Sequence, residues 1–294
     1  MIKSRISKFG VLATSILAIP ALSLAGTPAK ESKKIVEKTK ESCITGDIGM
    51  DAYSQYVFHG ITLENQGAIL QPYANIYFNL YEGAGFLNNV SLNLGVWNSF
   101  HSNHTVASST RNWFEFDFLA GLSFTFGKYF TLSPGYVAYT SPGDYFSTAH
   151  VAQLKLSVDD SDFLGAWALN PYVMVEAELD GKAGNGTDEG FYYEVGIAPG
   201  CKAGPVAISL PIKAGFGSND YYAENAGYGF FSAGVALGYD LAFVPECYGT
   251  WTVSASATYF NYGDANASAS ASTNPVKTAE VNAVVFGGGL KVAF

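Results

Sequence analysis

Residues 113–126 read WFEFDFLAGLSFTF, and this stretch decides the fold. Phe114, Phe116, Phe118, Ala120, Leu122, Phe124 and Phe126 share one parity; Trp113, Glu115, Asp117, Leu119, Gly121, Ser123 and Thr125 share the other. Successive side chains of a strand point to opposite faces, so the pattern describes a ribbon with one apolar side and one largely polar side. At about 3.3 Å per residue it outruns the usual globular strand of about 5–6 residues and suits a tilted bilayer crossing.

The same period recurs along the chain. In residues 67–81, Ala68, Leu70, Pro72, Ala74, Ile76, Phe78 and Leu80 alternate with Gln71, Tyr73, Asn75, Tyr77 and Asn79. Extending the template gives twelve segments: 46–60, 67–81, 87–100, 113–126, 129–140, 149–158, 166–178, 190–200, 205–216, 229–243, 250–262 and 280–294. Short connections at Gly127-Lys128, 201–204 and 244–249 are interleaved with longer polar ones at 101–112, 141–148, 180–189, 217–228 and 263–279. An even strand number with that rhythm predicts an all-β fold, a transmembrane antiparallel β-barrel of about 12 strands over 46–294, with both chain ends on the periplasmic side. Pro72, Pro134, Pro171 and Pro211 fall inside proposed strands, where a missing ladder donor predicts bulges or slips of register.

Charge placement supports the phasing. Asp47, Asp51, Glu115, Asp117, Lys155, Glu176, Glu178, Glu194, Lys213, Asp240 and Lys291 all take the parity opposite the apolar face. A Lys or Arg facing lipid near the midplane costs roughly 2–4 kcal/mol. A soluble β-sandwich, the competing fold, places charge on its solvated outer faces and has little use for so many long aromatic-rich strands.

Composition agrees. The 294 residues are 48% hydrophobic, 15% aromatic and only 14% charged, which excludes a disordered chain. A net charge of −9 lacks the basic footprint of a nucleic-acid partner. No apolar run after residue 25 approaches the ~20 residues of a membrane helix. Residues 1–25 read as a signal peptide: Lys3, Arg5 and Lys8 precede an apolar core from Phe9 to Leu22, and Ser23-Leu24-Ala25 offers a small-residue cleavage site. Residues 26–45, with five Lys, three Glu and no aromatic, read as a solvated periplasmic lead-in. That segment is either a free tether or a basic strap drawn to an acidic mouth.

Phe286, Gly288, Leu290, Val292 and the terminal Phe294 share one face of the last segment. Leu290, Val292 and Phe294 look like the C-terminal signal that barrel-assembly machinery reads in outer-membrane proteins. The stretch from Asp51 to Leu63, DAYSQYVFHGITL, followed by AILQP from Ala68 and LGVWN from Leu94, resembles the TorF (Gcw_chp) family of porin-like bacterial outer-membrane proteins. The likeness is strongest over residues 50–100. It implies a barrel in the bacterial outer membrane with possible transport. Position 59 is His where the family motif carries Arg, which removes a permanent charge.

The interior side predicts the chemistry. Lumen-lining Asp51, Glu115, Asp117, Glu176, Glu178, Glu194 and Asp240, with Asp47, outnumber Lys155, Lys213 and Lys291. Tyr73, Tyr77, Trp97 and Trp113 add large rings to the same side. An acidic wall in a confined lumen concentrates cations and repels anions, so we expect a porin-like channel for small cationic or neutral solutes, in contact with outer-membrane lipids. The alternative is a non-conducting structural barrel, because twelve strands lie between the filled eight-stranded and the open sixteen-stranded designs. A lipid hydrolase is less favoured: it needs a nucleophile beside a His, and the four His, at 59, 101, 104 and 150, all map to the extracellular end. His101 and His104 are too few for a closed zinc site, so no metal and no cofactor is expected. Cys201 and Cys247 lie two strands apart, about 9.5 Å by strand spacing. A disulfide tolerates a Cα separation up to ~7 Å, which leaves a bond between them open, with Cys43 as the other partner.

Overall fold

The computed structural model describes residues 42–103, 111–165, 168–223, 227–263 and 281–294. The signal segment, almost all of the lead-in, His104 and most of the 263–279 loop lie outside the described residues.

In chain order the elements are β1 Ile44–Tyr53, β2 Tyr56–Phe58, β3 Ile61–Glu64, β4 Ile69–Glu82, β5 Leu87–His101, β6 Trp113–Phe126, β7 Phe130–Thr140 and β8 Ala149–Val158. The short helix α1, Ser161–Leu164, follows. Then come β9 Tyr172–Asp180, β10 Phe191–Ile197, β11 Gly200–Ala203, β12 Val206–Ser209, β13 Ile212–Gly217, β14 Tyr228–Asp240, β15 Thr250–Tyr262 and β16 Asn282–Ala293. Each wall strand pairs antiparallel with its sequence neighbour, and β1 pairs with β4 on one side and with β16 on the other. The result is a closed barrel of twelve strands, in which β10 continues into β11 and β12 into β13. Closure leaves no strand edge, so wall backbone groups are paired within the sheet as a bilayer demands.

Parity does in three dimensions what it promises in one. Ile48, Met50, Leu70, Ile76, Phe118, Leu154, Val173, Val195, Leu237 and Leu290 are exposed on the outer surface. Exposed aromatics gather toward both rims, with Tyr81, Phe130, Tyr239 and Phe294 at the end where β1 begins and β16 ends, and Phe191, Tyr193 and Tyr259 at the other. That is the girdle arrangement of membrane barrels. The β6–β7 connection is tight because Gly127 and Lys128 both take positive φ, 56° and 71°, the two-residue turn whose twist suits a hairpin.

Three expectations are corrected. The first segment does not run to residue 60: β1 leaves the wall at Tyr53. Prolines do not shift the register. At Pro72 and Pro134 the ladder lapses for two residues and resumes in step, and side chains span each gap: Gln71 Nε2 donates to Ser99 Oγ at 3.3 Å, and the Ser123 and Ser133 hydroxyls meet at 2.9 Å. Pro211 instead separates β12 from β13, Pro199 separates β10 from β11, and Pro171 lies just outside β9. The strand of the 166–178 segment starts later, at Tyr172, with the described residues 168–171 outside it.

Candidate functional site: the occupied lumen

The residues that leave the wall after Tyr53 turn into the barrel. Ser54 ends β1 by exchanging hydrogen bonds with Phe286: its amide donates to the Phe286 carbonyl, and its Oγ accepts from the Phe286 amide, both at 2.9 Å. β2 and β3 then form a hairpin whose turn is His59-Gly60, with φ of 47° and 85°. Positive φ at both turn positions is the type I′ signature, and glycine accepts it without strain. The tip is tight as well: a methyl on Gly60 would press against Phe230 and the Gly229 carbonyl.

This hairpin is buried on every side. Tyr56, Phe58, Ile61, Thr62 and Glu64 are all buried. Tyr56 packs 5.6 Å from Trp97 and edge-on to Phe114, and Phe58 meets Tyr139 at 5.3 Å. Ile61 joins a second cluster with Met174, Tyr192, Tyr221, Tyr222 and Phe230. Tyr221 and Tyr222, in the described stretch that follows β13, also face inward and meet the hairpin. The half of the barrel nearest the long loops is thus filled.

His59 is the centre of the seat. Its ring lies between Phe58, at 3.9 Å, and Tyr192, at 3.7 Å and nearly parallel. Nδ1 is 2.5 Å from the Tyr221 hydroxyl, the Tyr222 hydroxyl donates to the His59 carbonyl at 2.6 Å, and Nε2 is 3.7 Å from Glu176 Oε2. Burial pushes the imidazole down to about 3; Glu194 pulls it up and Lys213 presses it further down. The ring is neutral at pH 7. Burial also holds the Tyr221 phenol well above its ordinary range, so it remains a donor. The neutral tautomer that uses both contacts accepts Tyr221 at Nδ1 and points Nε2–H at Glu176. Tyr221→Phe removes the donor and should weaken the hairpin's hold on the lumen by about 1 kcal/mol, a roughly fivefold rise in its rate of proteolytic cleavage in the folded barrel.

The remaining sequence-selected residues fall into three groups. Glu115, Asp117, Glu176, Glu178 and Glu194 are buried on the inner side around the hairpin, and most are engaged by neighbouring donors. Glu115 accepts from Tyr56 at 2.9 Å, and Glu176 accepts from Gln153 at 2.5 Å. Glu178 accepts amides of Ala183, Gly184 and Gly190 and so shapes the adjacent loop. Glu194 accepts from Tyr172, Tyr192 and Lys213 at 2.6, 2.7 and 3.0 Å. Lys155 lies 4.2 Å over the Tyr172 ring. Trp97 is buried in the seat. In the other half, Asp51, Tyr73 and Lys291 line a cleft, Tyr77 donates to Asp47 at 3.1 Å, and Asp240 accepts from Thr252 at the rim at 2.7 Å. Leu290, Val292 and Phe294 are on the outward parity of β16, with Leu290 and Phe294 exposed.

Trp113 is a correction. A bulge between Ser99 and Phe100 pairs Phe100 with Trp113 and Ser99 with Glu115, leaving Phe114 as the extra residue. Phe114 consequently turns inward and Trp113 outward, where it stacks on Phe100 at 5.6 Å and meets Phe116 edge-on. Alternation read through a bulge assigns both residues to the wrong side. Sequence reading also missed Tyr56, Phe58, Tyr221 and Tyr222 as lumen fillers. His59-Gly60 after the aromatic run Tyr56-Val57-Phe58 was the available signal for the hairpin, whereas nothing local marks Tyr221 and Tyr222.

Ser99 Oγ is 2.9 Å from His101 Nε2, a nucleophile–base distance. Both are buried on the inner side, with Phe114 stacked on the imidazole at 4.4 Å. His150 contacts the Tyr136 hydroxyl at 2.5 Å. Among the described residues no group of three or more His, Cys, Asp or Glu has the geometry to hold a metal ion. Cys43, Cys201 and Cys247 are free, exposed thiols, so neither of the disulfides left open by the spacing is formed.

No family model and no curated protein matches the chain. Among solved structures it is similar to the NanC porin, with 11% identity over 83% of this chain and 98% of that one, at a TM-score of 0.44. It is also similar to the COG4313 outer membrane channel from Pseudomonas putida F1, with 10% identity over 90% and 100% of the two chains and a TM-score of 0.44. Outer membrane phospholipase A from Escherichia coli gives 12% identity over 84% and 92%, at 0.38. The barrel assignment rests on this chain's own strand pairing.

Proposed function

We propose that this protein is a porin-like barrel of the bacterial outer membrane that passes small cationic or neutral solutes, with the β2–β3 hairpin as its closed gate. The observation that carries this reading is the polar, charged inner face of a closed barrel whose outer face is apolar. A barrel with no aqueous role has little reason to carry eleven ionisable strand residues inside, where each charged group must be matched by donors or counter-charges. In this reading the exposed C-terminal strand face, Leu290, Val292 and Phe294, is what the barrel-assembly machinery engages, and outer-membrane lipids cover the remaining exterior. The resemblance of residues 50–100 to the TorF family fits the same placement, and the protein acts without a cofactor.

Selectivity follows from charge. Acids outnumber lysines on the lumen side, so the open state should pass K⁺ in preference to Cl⁻. Reversal potentials across a salt gradient in planar bilayers measure this, and anion selectivity would overturn it.

The filled half of the lumen favours a second reading, a permanently closed structural barrel. The two separate cleanly, because a structural barrel gives no current steps under any voltage or after removal of the hairpin. We read the chain as no enzyme: the Ser99–His101 pair faces inward under Phe114, away from lipid substrate. Phospholipid hydrolysis by the folded chain, abolished by Ser99→Ala, would reverse that reading.

A further inference from the structure

Below the hairpin, in the half of the lumen where β1 begins and β16 ends, an open cleft remains between β1, β4 and the β14–β16 wall. Its boundary combines one carboxylate, one ammonium, two phenol rings and a row of hydroxyls: Asp51, Lys291, Tyr53, Tyr73, Ser254 and Ser256. Opposite charges on one wall would ordinarily close on each other. Here, among the described residues, no contact-distance ion pair or hydrogen bond joins Asp51 to Lys291, diagonal neighbours on β1 and β16 whose charges act on each other from farther off.

Three glycines keep the space open. A methyl on Gly49 would overlap the Tyr73 ring, one on Gly287 would overlap Tyr53, and one on Gly289 would strike the Asp51 carboxylate. Asp51, Tyr53 and Tyr73 therefore each lie against a residue that has no side chain. The facing strands supply only small inward groups at this level: Ser254 pairs with Gly289 and Ser256 with Gly287 across β15–β16, and Ser256 faces Ala236 across β14–β15. The wall is shaped to leave room beside two separated, opposite charges.

We propose that this cleft is a binding site for a small zwitterion of the α-amino-acid class. The ligand ammonium meets Asp51 and the faces of Tyr53 and Tyr73, and the ligand carboxylate meets Lys291 and the hydroxyl row. A carboxylate favours a cation, aromatic faces add cation–π attraction, and an ammonium with hydroxyl donors holds an anion. Only a ligand carrying both charges satisfies both groups. This names a solute class for the proposed channel and rests on that reading, but binding is measured without any current, so a failure to conduct and a failure to bind remain distinct results.

The test is saturation-transfer NMR on the full chain folded in detergent micelles, with glycine as probe and methylammonium and acetate as single-charge controls. Glycine should bind at least about tenfold more tightly than either control, since each lost charge pairing is worth about a factor of ten or more. Asp51→Asn and Lys291→Met should each reduce glycine binding to the level of the controls. Absence of glycine binding to the parent chain, or equal binding of methylammonium or acetate, overturns the proposal. Full glycine binding by both variants does so too. The single-charge comparison uses the unaltered protein, so it decides the question even if a variant misfolds.

Discussion

Replacing residues 55–67 with a two-residue Asn-Gly turn is expected to raise single-channel conductance about tenfold, because the half of the lumen now filled reverts to the ring set by twelve strands. The deletion is geometrically mild. Tyr53 and Ile69 are direct partners on β1 and β4, so a short turn can join the strands at that level without moving them. What is lost is the seat. Tyr56, Phe58 and Ile61 are nearly completely buried, and each contributes about 1.5–3 kcal/mol by leaving water. With the hairpin as gate, the parent should show rare, brief openings. The deletion should instead show a large, steady current in planar bilayers. A conductance equal to the parent's would mean that the hairpin is no gate.

The second large effect concerns Glu194. This carboxylate is buried and holds three donors, of which only Lys213, at 3.0 Å, brings a charge. Lys213→Met leaves the Tyr172 and Tyr192 hydroxyls in place and removes the counter-ion. It should lower unfolding free energy by about 3 kcal/mol at pH 7, the usual consequence of leaving one partner of a buried pair alone. The methionine itself should fit, since Lys213 already runs beside the Phe230 ring, 5.5 Å from its Nζ. Denaturant titration of the folded barrel gives the number. The double variant Glu194→Gln/Lys213→Met should recover most of the loss, because Gln still accepts a tyrosine hydroxyl and no charge is stranded. If the single variant is as stable as the parent, the Glu194–Lys213 pair does not carry the weight assigned to it.

Much of the barrel was legible in the linear order of residues. A period of two needs only the pleat of a strand, and in a membrane barrel one parity must be apolar along its whole length. The segments over 113–126, 149–158 and 250–262 therefore agree with β6, β8 and β15 at both ends. The placement of Glu115, Glu176, Glu194 and Lys213 away from lipid came from the same rule.

What sequence could not supply is anything that depends on two distant segments meeting. A bulge is decided by how β5 and β6 settle against each other, and that one extra residue exchanged the sides of Trp113 and Phe114. Residues 55–60 carry the same alternation whether they extend the wall or fold beneath it. Only the closed cylinder, with an empty half waiting for aromatic surface, makes the inward hairpin the better burial. Tyr221 and Tyr222 find His59 across more than 160 positions of chain. Alternation follows from local geometry and one solvent boundary. The contents of the lumen follow from which side chains fill the space that closure creates, and only the folded barrel defines that space.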